Sequence, residues 1–429
     1  MELPGIRVGR AGIERHHDRV LRGRAGAVQL EVNAVGRVIR ELDRREGISG
    51  QDVQISVDAE LQKAIREKIE EGTSAVLLDA RNGEVLAMAT KPSFDPNIFN
   101  AGVSAAQWRQ WTASRNTPLI NKCTNGLYAP GSTFKMVVAL AALEARVCRP
   151  ADVVNCPGHM DLGDTRFHCH RRTGHGGMNM RTAIMASCDV YFYEMAKRVG
   201  MDRIAAMANR FGLGVDLEIE LPGTRRGLVP TRGWRQAQGR PWSMGDTVVH
   251  GIGQGFYQLT PLSMAVMAAR LATGRAVQPH LTRAVGGRPV RGGRAEDWPL
   301  IGVPEADLRV VREAMWGVVN GGGTAGASRL PAQYGQMAGK TGTTQVRRVT
   351  REQRERGFNV SQMPREWRPH AMFVAYAPHD NPVFALSVVV EHGTSGSGAA
   401  APLARDILVE AFNRLRPPGA PARIAEGAR

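Results

Sequence analysis

Tyr128-Ala129-Pro130-Gly131-Ser132-Thr133-Phe134-Lys135 runs directly into an apolar stretch, Met136-Val137-Val138-Ala139-Leu140. The reading is a turn feeding a buried helix over residues 132–145. Ser132 and Lys135 are three apart and therefore share one helix face. A serine hydroxyl is a weak nucleophile at neutral pH and needs a base within hydrogen-bond reach. A lysine serves as that base only where burial or a second cation lowers its pKa.

Alone, the spacing carries little. With 7 lysines and 15 serines in 429 residues, random placement gives Ser-x-x-Lys roughly 0.24 times per chain. An exposed lysine at a helix start would account for it equally well. Two further motifs change the balance. Ser187-Cys188-Asp189 begins 55 residues after Ser132, and Lys340-Thr341-Gly342-Thr343 follows it. Lys340 supplies the second cation. Arginine outnumbers lysine 49 to 7, yet both amine positions hold lysine. Arginine stays protonated and could not act as a base there.

Composition sets wider bounds. A hydrophobic content of 43% is that of a globular protein, and the formal charge is +16. That charge would suit nucleic acid, anionic lipid or an acidic polymer. The arginines are scattered, however, and no nucleic-acid-binding signature accompanies them, so a general arginine bias is the preferred account and no nucleic-acid partner is expected. No apolar run reaches the roughly 18 residues of a membrane span, and no signal peptide is visible. The opening, Met1-Glu2-Leu3-Pro4-Gly5, is unlike a natural domain start, so a truncation is expected.

Along the chain, residues 1–54 read as a small β-rich support module, with a weakly alternating stretch at 27–32. A helix is expected over 59–71, capped by Asp58. Two apolar runs, 74–80 and 84–90, flank Arg81-Asn82-Gly83, a hairpin signal. Helices are expected over 181–199, 201–211 and 261–273. Strands are expected at 339–346, 371–377 and 383–391, then a glycine-serine loop at 393–398 and a terminal helix over 401–415. The arginine-rich stretch 347–370 reads as a loop insertion. The fold class is α+β, in two parts: 1–54 and 55–429.

The three motifs resemble those of the penicillin-binding protein and serine β-lactamase superfamily, and more closely the class B, elongation-type transpeptidases. Other similar stretches are Gly12-Ile13-Glu14, Leu21-Arg22-Gly23, Lys91-Pro92-Ser93-Phe94-Asp95-Pro96-Asn97 and Gly251-Ile252-Gly253-Gln254-Gly255. The resemblance implies an antiparallel sheet flanked by helices, a mostly helical subdomain and the remnant of a β-rich pedestal. It implies that Ser132 attacks the penultimate D-alanine of a stem peptide and Lys135 takes its proton. Ser187 then relays a proton to the leaving amine, with Lys340 tuning the relay. Backbone amides of Ser132 and Thr343 form the oxyanion hole. Thr341 and Thr343 hold the substrate or β-lactam carboxylate, and Gly342 lets the substrate lie against the strand. Asp189 stands where most of the superfamily has asparagine. An ionised carboxylate only accepts, so it is expected to compensate the lysines; a helix-surface aspartate is the alternative.

The resemblance also implies cross-linking of peptidoglycan in cell elongation, inhibition by β-lactams, and partners in a SEDS-family membrane glycosyltransferase and elongation-complex scaffold proteins. The location implied is the periplasmic face of the inner membrane, through an anchor absent from this chain. Two other functions stay open: a D,D-carboxypeptidase or β-lactamase-type hydrolase, and a β-lactam sensor or binding scaffold. The chemistry requires no cofactor.

Within a candidate zinc-binding segment, 150–190, residues 157–179 are rich in glycine and polar residues and lack a periodic core. Cys156, Cys169, His175 and Cys188 would make a Cys₃His structural zinc site, and a metal staple suits such a segment. Some elongation-type transpeptidases similarly carry metal ligands here. A Cys156–Cys169 disulfide and inert thiols are the competing readings, with His168 and His170 as substitute ligands. Cys123 and Cys148 read as core thiols.

Overall fold

The computed structural model describes residues 8–290, 297–347 and 363–415. The insertion expected at 347–370 therefore falls largely outside the described residues. The chain divides into two compact units.

The smaller unit takes in Met1–Ser56, Glu218–Thr224 and His280–Gly292. The two later segments were read as part of the second domain. They belong here because Thr282–Val285 pairs antiparallel with Val53–Ile55 and with Arg288–Pro289. The Glu220 carboxylate accepts the Leu281 N–H at 2.8 Å, and His17 Nε2 meets Thr282 Oγ1 at 2.7 Å. A separate hairpin, Ala27–Val32 with Val38–Arg45, has exposed side chains along nearly its whole length.

The larger unit holds every motif residue. Its centre is a five-stranded antiparallel sheet in the order Ala338–Thr344, His370–Ala377, Phe384–Val390, Thr73–Asp79, Val85–Lys91. All seven residues of Thr73–Asp79 are buried, so the sheet is covered on both faces and its strands read as continuous apolar runs. Pro261–Thr273 packs across it, and Ala401–Arg414 packs with Ala59–Lys68 and the sheet. The expected turn forms: Asn82 Oδ1 accepts the Glu84 N–H at 3.0 Å and Gly83 takes φ 84°. Asp58 caps its helix by accepting the Leu61 N–H at 2.7 Å.

Two elements differ from expectation. The helix read over 181–199 is two helices, Met180–Met185 and Asp189–Val199. Ser187 breaks it with φ 55°, a left-handed conformation rare for a residue with a Cβ. The glycine-serine loop is partly a helical turn, Gly396–Ala400, that leads into Ala401–Arg414. Among the described residues no helix is long and apolar enough to cross a membrane.

Candidate active site

Ser132 lies in a short 3₁₀ turn, Gly131–Phe134, that feeds helix Lys135–Glu144. In such a turn residues three apart eclipse, which aligns Ser132 with Lys135. The turn is fixed against the motif strand Ala338–Thr344. Thr344 Oγ1 donates to the Ala129 carbonyl at 2.6 Å, and Gly131 N–H donates to the Gly253 carbonyl at 2.9 Å. A Cβ on Gly131 would lie 2.8 Å from the Thr343 carbonyl, so the close approach itself requires glycine.

The helix delivers Lys135 into a buried cluster. Its Nζ donates to the Ser187 carbonyl and to Asp189 Oδ1, each at 2.7 Å, and to Ser187 Oγ at 3.2 Å. Lys340 Nζ reaches the same hydroxyl at 2.9 Å and the Thr341 carbonyl at 3.2 Å. The expected bond from Ser132 to Lys135 is absent. An ammonium prefers a carboxylate to a neutral hydroxyl, and catalytic contacts often tighten only when substrate arrives. Burial, and after it the Lys135 charge, holds the Lys340 ammonium well below the ordinary lysine range. Burial works to raise the Asp189 carboxyl, but Lys135 and His170 outweigh it and hold it below the usual carboxylate range. Asp189 is therefore a buried counter-charge, not a surface residue.

On the strand, Thr341 Oγ1 meets Thr324 Oγ1 at 2.7 Å. Thr343 Oγ1 accepts the Gly396 N–H at 3.3 Å, and its carbonyl accepts Gln254 Nε2–H at 3.1 Å. Gly342 also has a packing role that the sequence does not show. A Cβ there would meet Thr133 Cγ2 at 2.8 Å and the Pro130 carbonyl at 3.0 Å. The missing side chain makes room for the nucleophile turn. The sequence shows no sign of Thr324 or of the side-chain role of Gln254, and it offers His170 as a substitute ligand, not as a partner of Asp189. Thr324 follows three glycines and has no signature of its own. Gln254 lies in Gly251-Ile252-Gly253-Gln254-Gly255, a stretch whose glycines mark a turn but whose glutamine has no signature of its own.

Behind Asp189, the four expected metal ligands converge. Their ligand atoms lie within 4.8 Å of one another. His175 Nδ1 stands 3.7 Å from Cys156 Sγ and 3.5 Å from Cys169 Sγ. Tetrahedral zinc, with bonds of about 2.3 Å to sulfur and about 2.0 Å to nitrogen, sets such pairs about 3.5 Å apart. The residues therefore fit the ion. All five cysteines are free thiols, so the Cys156–Cys169 disulfide is not formed. Hydrogen bonding with Cys188 pulls the Cys169 thiol far below its ordinary range. His170 bridges this set and Asp189: its Nδ1 stands 3.9 Å from Cys169 Sγ and 3.3 Å from Asp189 Oδ2, and its backbone N–H donates to the same oxygen at 2.7 Å. Cys123 lies between the Ala75 and Ala89 carbonyls, and burial pushes its thiol up to about 12.

Comparison with known proteins places this geometry. The penicillin binding protein transpeptidase domain family matches residues 73–409, and the penicillin-binding protein dimerisation domain family matches residues 2–55. The peptidoglycan D,D-transpeptidase MrdA of Haemophilus influenzae is 35% identical over 419 residues, 96% of this chain and 64% of that protein. The chain thus spans somewhat less than two thirds of that relative. The crystal structure of Pseudomonas aeruginosa PBP2 in complex with WCK 5153 aligns with TM-score 0.80 at 34% identity, covering 98% of this chain and 85% of that one. Helicobacter pylori PBP2, solved in complex with MreC, aligns with TM-score 0.83 at 28% identity, covering 95% of this chain and 72% of that one. With its sheet, its three motifs and these matches in agreement, the chain belongs to the penicillin-binding protein transpeptidase family.

Proposed function

We propose that this protein is a peptidoglycan D,D-transpeptidase that cross-links stem peptides through an acyl-serine intermediate during cell elongation. The observation that carries the reading is one hydroxyl, Ser187 Oγ, accepting from two buried lysines at 3.2 and 2.9 Å. A proton can pass from Lys135 through Ser187 Oγ to Lys340, which burial keeps short of its usual charge. Lys135 is then neutral and takes the Ser132 proton as Oγ bonds to the carbonyl carbon of the penultimate D-alanine. The tetrahedral oxyanion would rest on the Ser132 and Thr343 backbone N–H groups, the kind of fixed donor pair that contributes most to such steps. On collapse, the C–N bond breaks and Ser187 hands a proton to the leaving D-alanine amine. An amine of a neighbouring stem peptide then displaces Ser132 from the ester, closing the cross-link. A β-lactam would enter the same path and stop at the ester. Release of the ester to water instead would make the protein a carboxypeptidase.

We also infer that Cys156, Cys169, His175 and Cys188 hold a structural zinc, which would pin the 154–188 segment behind Asp189 without joining the acyl chemistry. The named complex of the H. pylori relative with MreC supports an elongation scaffold as partner. A SEDS-family glycosyltransferase and a periplasmic location at the inner membrane belong to the same reading.

The test is intact mass after brief exposure to a penicillin, wild type beside Ser132→Ala. One slowly released adduct on wild type and none on the variant is expected. Rapid release would favour the hydrolase reading. No adduct on folded wild type would overturn the acyl-serine assignment.

A further inference from the structure

Strand Ala338–Thr344 is the first strand of its sheet and, among the described residues, pairs only with His370–Ala377. An edge strand presents backbone N–H and C=O groups that an extended peptide can pair with. One of those groups is already engaged. The Thr343 carbonyl accepts Gln254 Nε2–H at 3.1 Å, so it faces the open edge, and the Thr343 N–H faces the same way.

The loop that carries Gln254 is held at its backbone. Gly253 takes φ 73°, its carbonyl receives the Gly131 N–H at 2.9 Å, and a Cβ on it would fall 2.0 Å from the Gly131 carbonyl oxygen. The buried His250 ring bonds the Asp246 carbonyl through Nδ1 at 2.6 Å and accepts the Phe256 N–H at Nε2 at 3.0 Å. By contrast, the Gln254 side chain is only half-buried, and the bond to Thr343 is the one it makes among the described residues. A fixed backbone with a single tethered tip is the arrangement of a side chain that swings.

We propose that Gln254 is a specificity-determining gate on this edge, its side-chain amide standing in for the backbone N–H of an extended acyl donor. A ligand with an amide N–H at that place displaces Gln254 and recovers the bond. A ligand without one has no use for the vacated carbonyl. The proposal rests on Ser132 being acylated by ligands lying along this strand.

The experiment compares acylation efficiency of wild type, Gln254→Ala and Gln254→Met by time-resolved intact mass. The probes are benzylpenicillin and penicillanic acid, which has the same fused ring without the acylamino side chain. Neither variant can donate to the Thr343 carbonyl. Both are expected to react with benzylpenicillin roughly two- to tenfold faster than wild type, the worth of one neutral hydrogen bond. Penicillanic acid should change less than about twofold, with thermal midpoints unchanged. An unchanged or reduced benzylpenicillin rate would overturn the gate, as would an equal rise with both probes. An absent adduct on wild type with both probes would instead overturn the acyl-serine reading and the gate with it.

Discussion

Ser187 occupies a conformation that costs a residue with a Cβ about 1–2 kcal/mol, and it sits between two buried amines. That strain turns its hydroxyl inward and breaks what the sequence presents as one helix. The identities at the other key positions were legible, because lysine, unlike arginine, can surrender a proton. Which atoms bond was not legible: Asp189 and the Ser187 carbonyl take the Lys135 ammonium from Ser132, and that competition depends on tertiary placement. Lys340 gives the residue-scale prediction. Its proton leaves well below the ordinary lysine value of 10.5, through burial and then the Lys135 charge. Below that depressed pKa the cluster has no vacant amine, so acylation efficiency should rise with pH through it and level off well short of 10.5. Lys340→Arg keeps a charge at every pH. It should lose at least about 100-fold in acylation and flatten the rise. Linkage runs the same way. The unfolded lysine holds its proton to higher pH than the folded one, so stability climbs with pH between the two values, and that climb should vanish in Lys340→Met. Acylation rates and denaturant melts across pH check both, and a wild-type limb near 10.5 would overturn the account.

At the scale of elements, the site is a contact between a turn and a strand, with a third segment behind them. Gly342 is where turn and strand touch. Gly342→Ala would place a methyl 2.8 Å from Thr133 Cγ2, an overpacking worth about 1–3 kcal/mol. The strand and the nucleophile turn would separate, so acylation should fall together with the denaturant midpoint. Loss of activity with full stability would instead favour a direct substrate role for Gly342. The strands were legible from their apolar runs and turn residues. The 154–188 segment was legible only as an absence of periodicity plus cysteine spacing, since side chains gathered by chemistry rather than by burial leave no hydrophobic pattern. It touches the chemistry through His170 N–H and through the Asp189 N–H, which donates to Cys169 Sγ at 3.4 Å. A purified sample should hold about one zinc per chain. A strong chelator or Cys169→Ser should lower the melting midpoint by at least about 5 °C and slow acylation through a displaced Asp189. Metal analysis beside calorimetry checks this; a metal-free protein with an unchanged midpoint would refute it.

Across the whole molecule, the way the smaller unit recruits its strands was not legible in the sequence. Thr282–Val285 joins Val53–Ile55 from far along the chain, and nothing local marks such pairing, because a strand's partner is set by the fold around it. The smaller unit raises a further question, since its hairpin is built unlike a buried sheet. Val35 is 80% exposed, Ile39 60% and Val38 58%, and both strands carry apolar residues with little cover. A two-stranded hairpin gains little stability alone, and its exposed apolar side chains are free for a partner to cover. Every catalytic residue assigned above belongs to the larger unit. Val35→Asp combined with Ile39→Asp should therefore leave the larger unit's acylation rate unchanged. It should also move folding stability by no more than about 0.5 kcal/mol per site. Under the proposed function the same pair should abolish association with an elongation scaffold of the MreC kind, because each carboxylate would have to be stripped of water against an apolar partner. Acylation kinetics and a binding titration on one preparation separate these outcomes. Binding that survives would move the scaffold to another face, and acylation that falls would mean the small unit shapes the site after all.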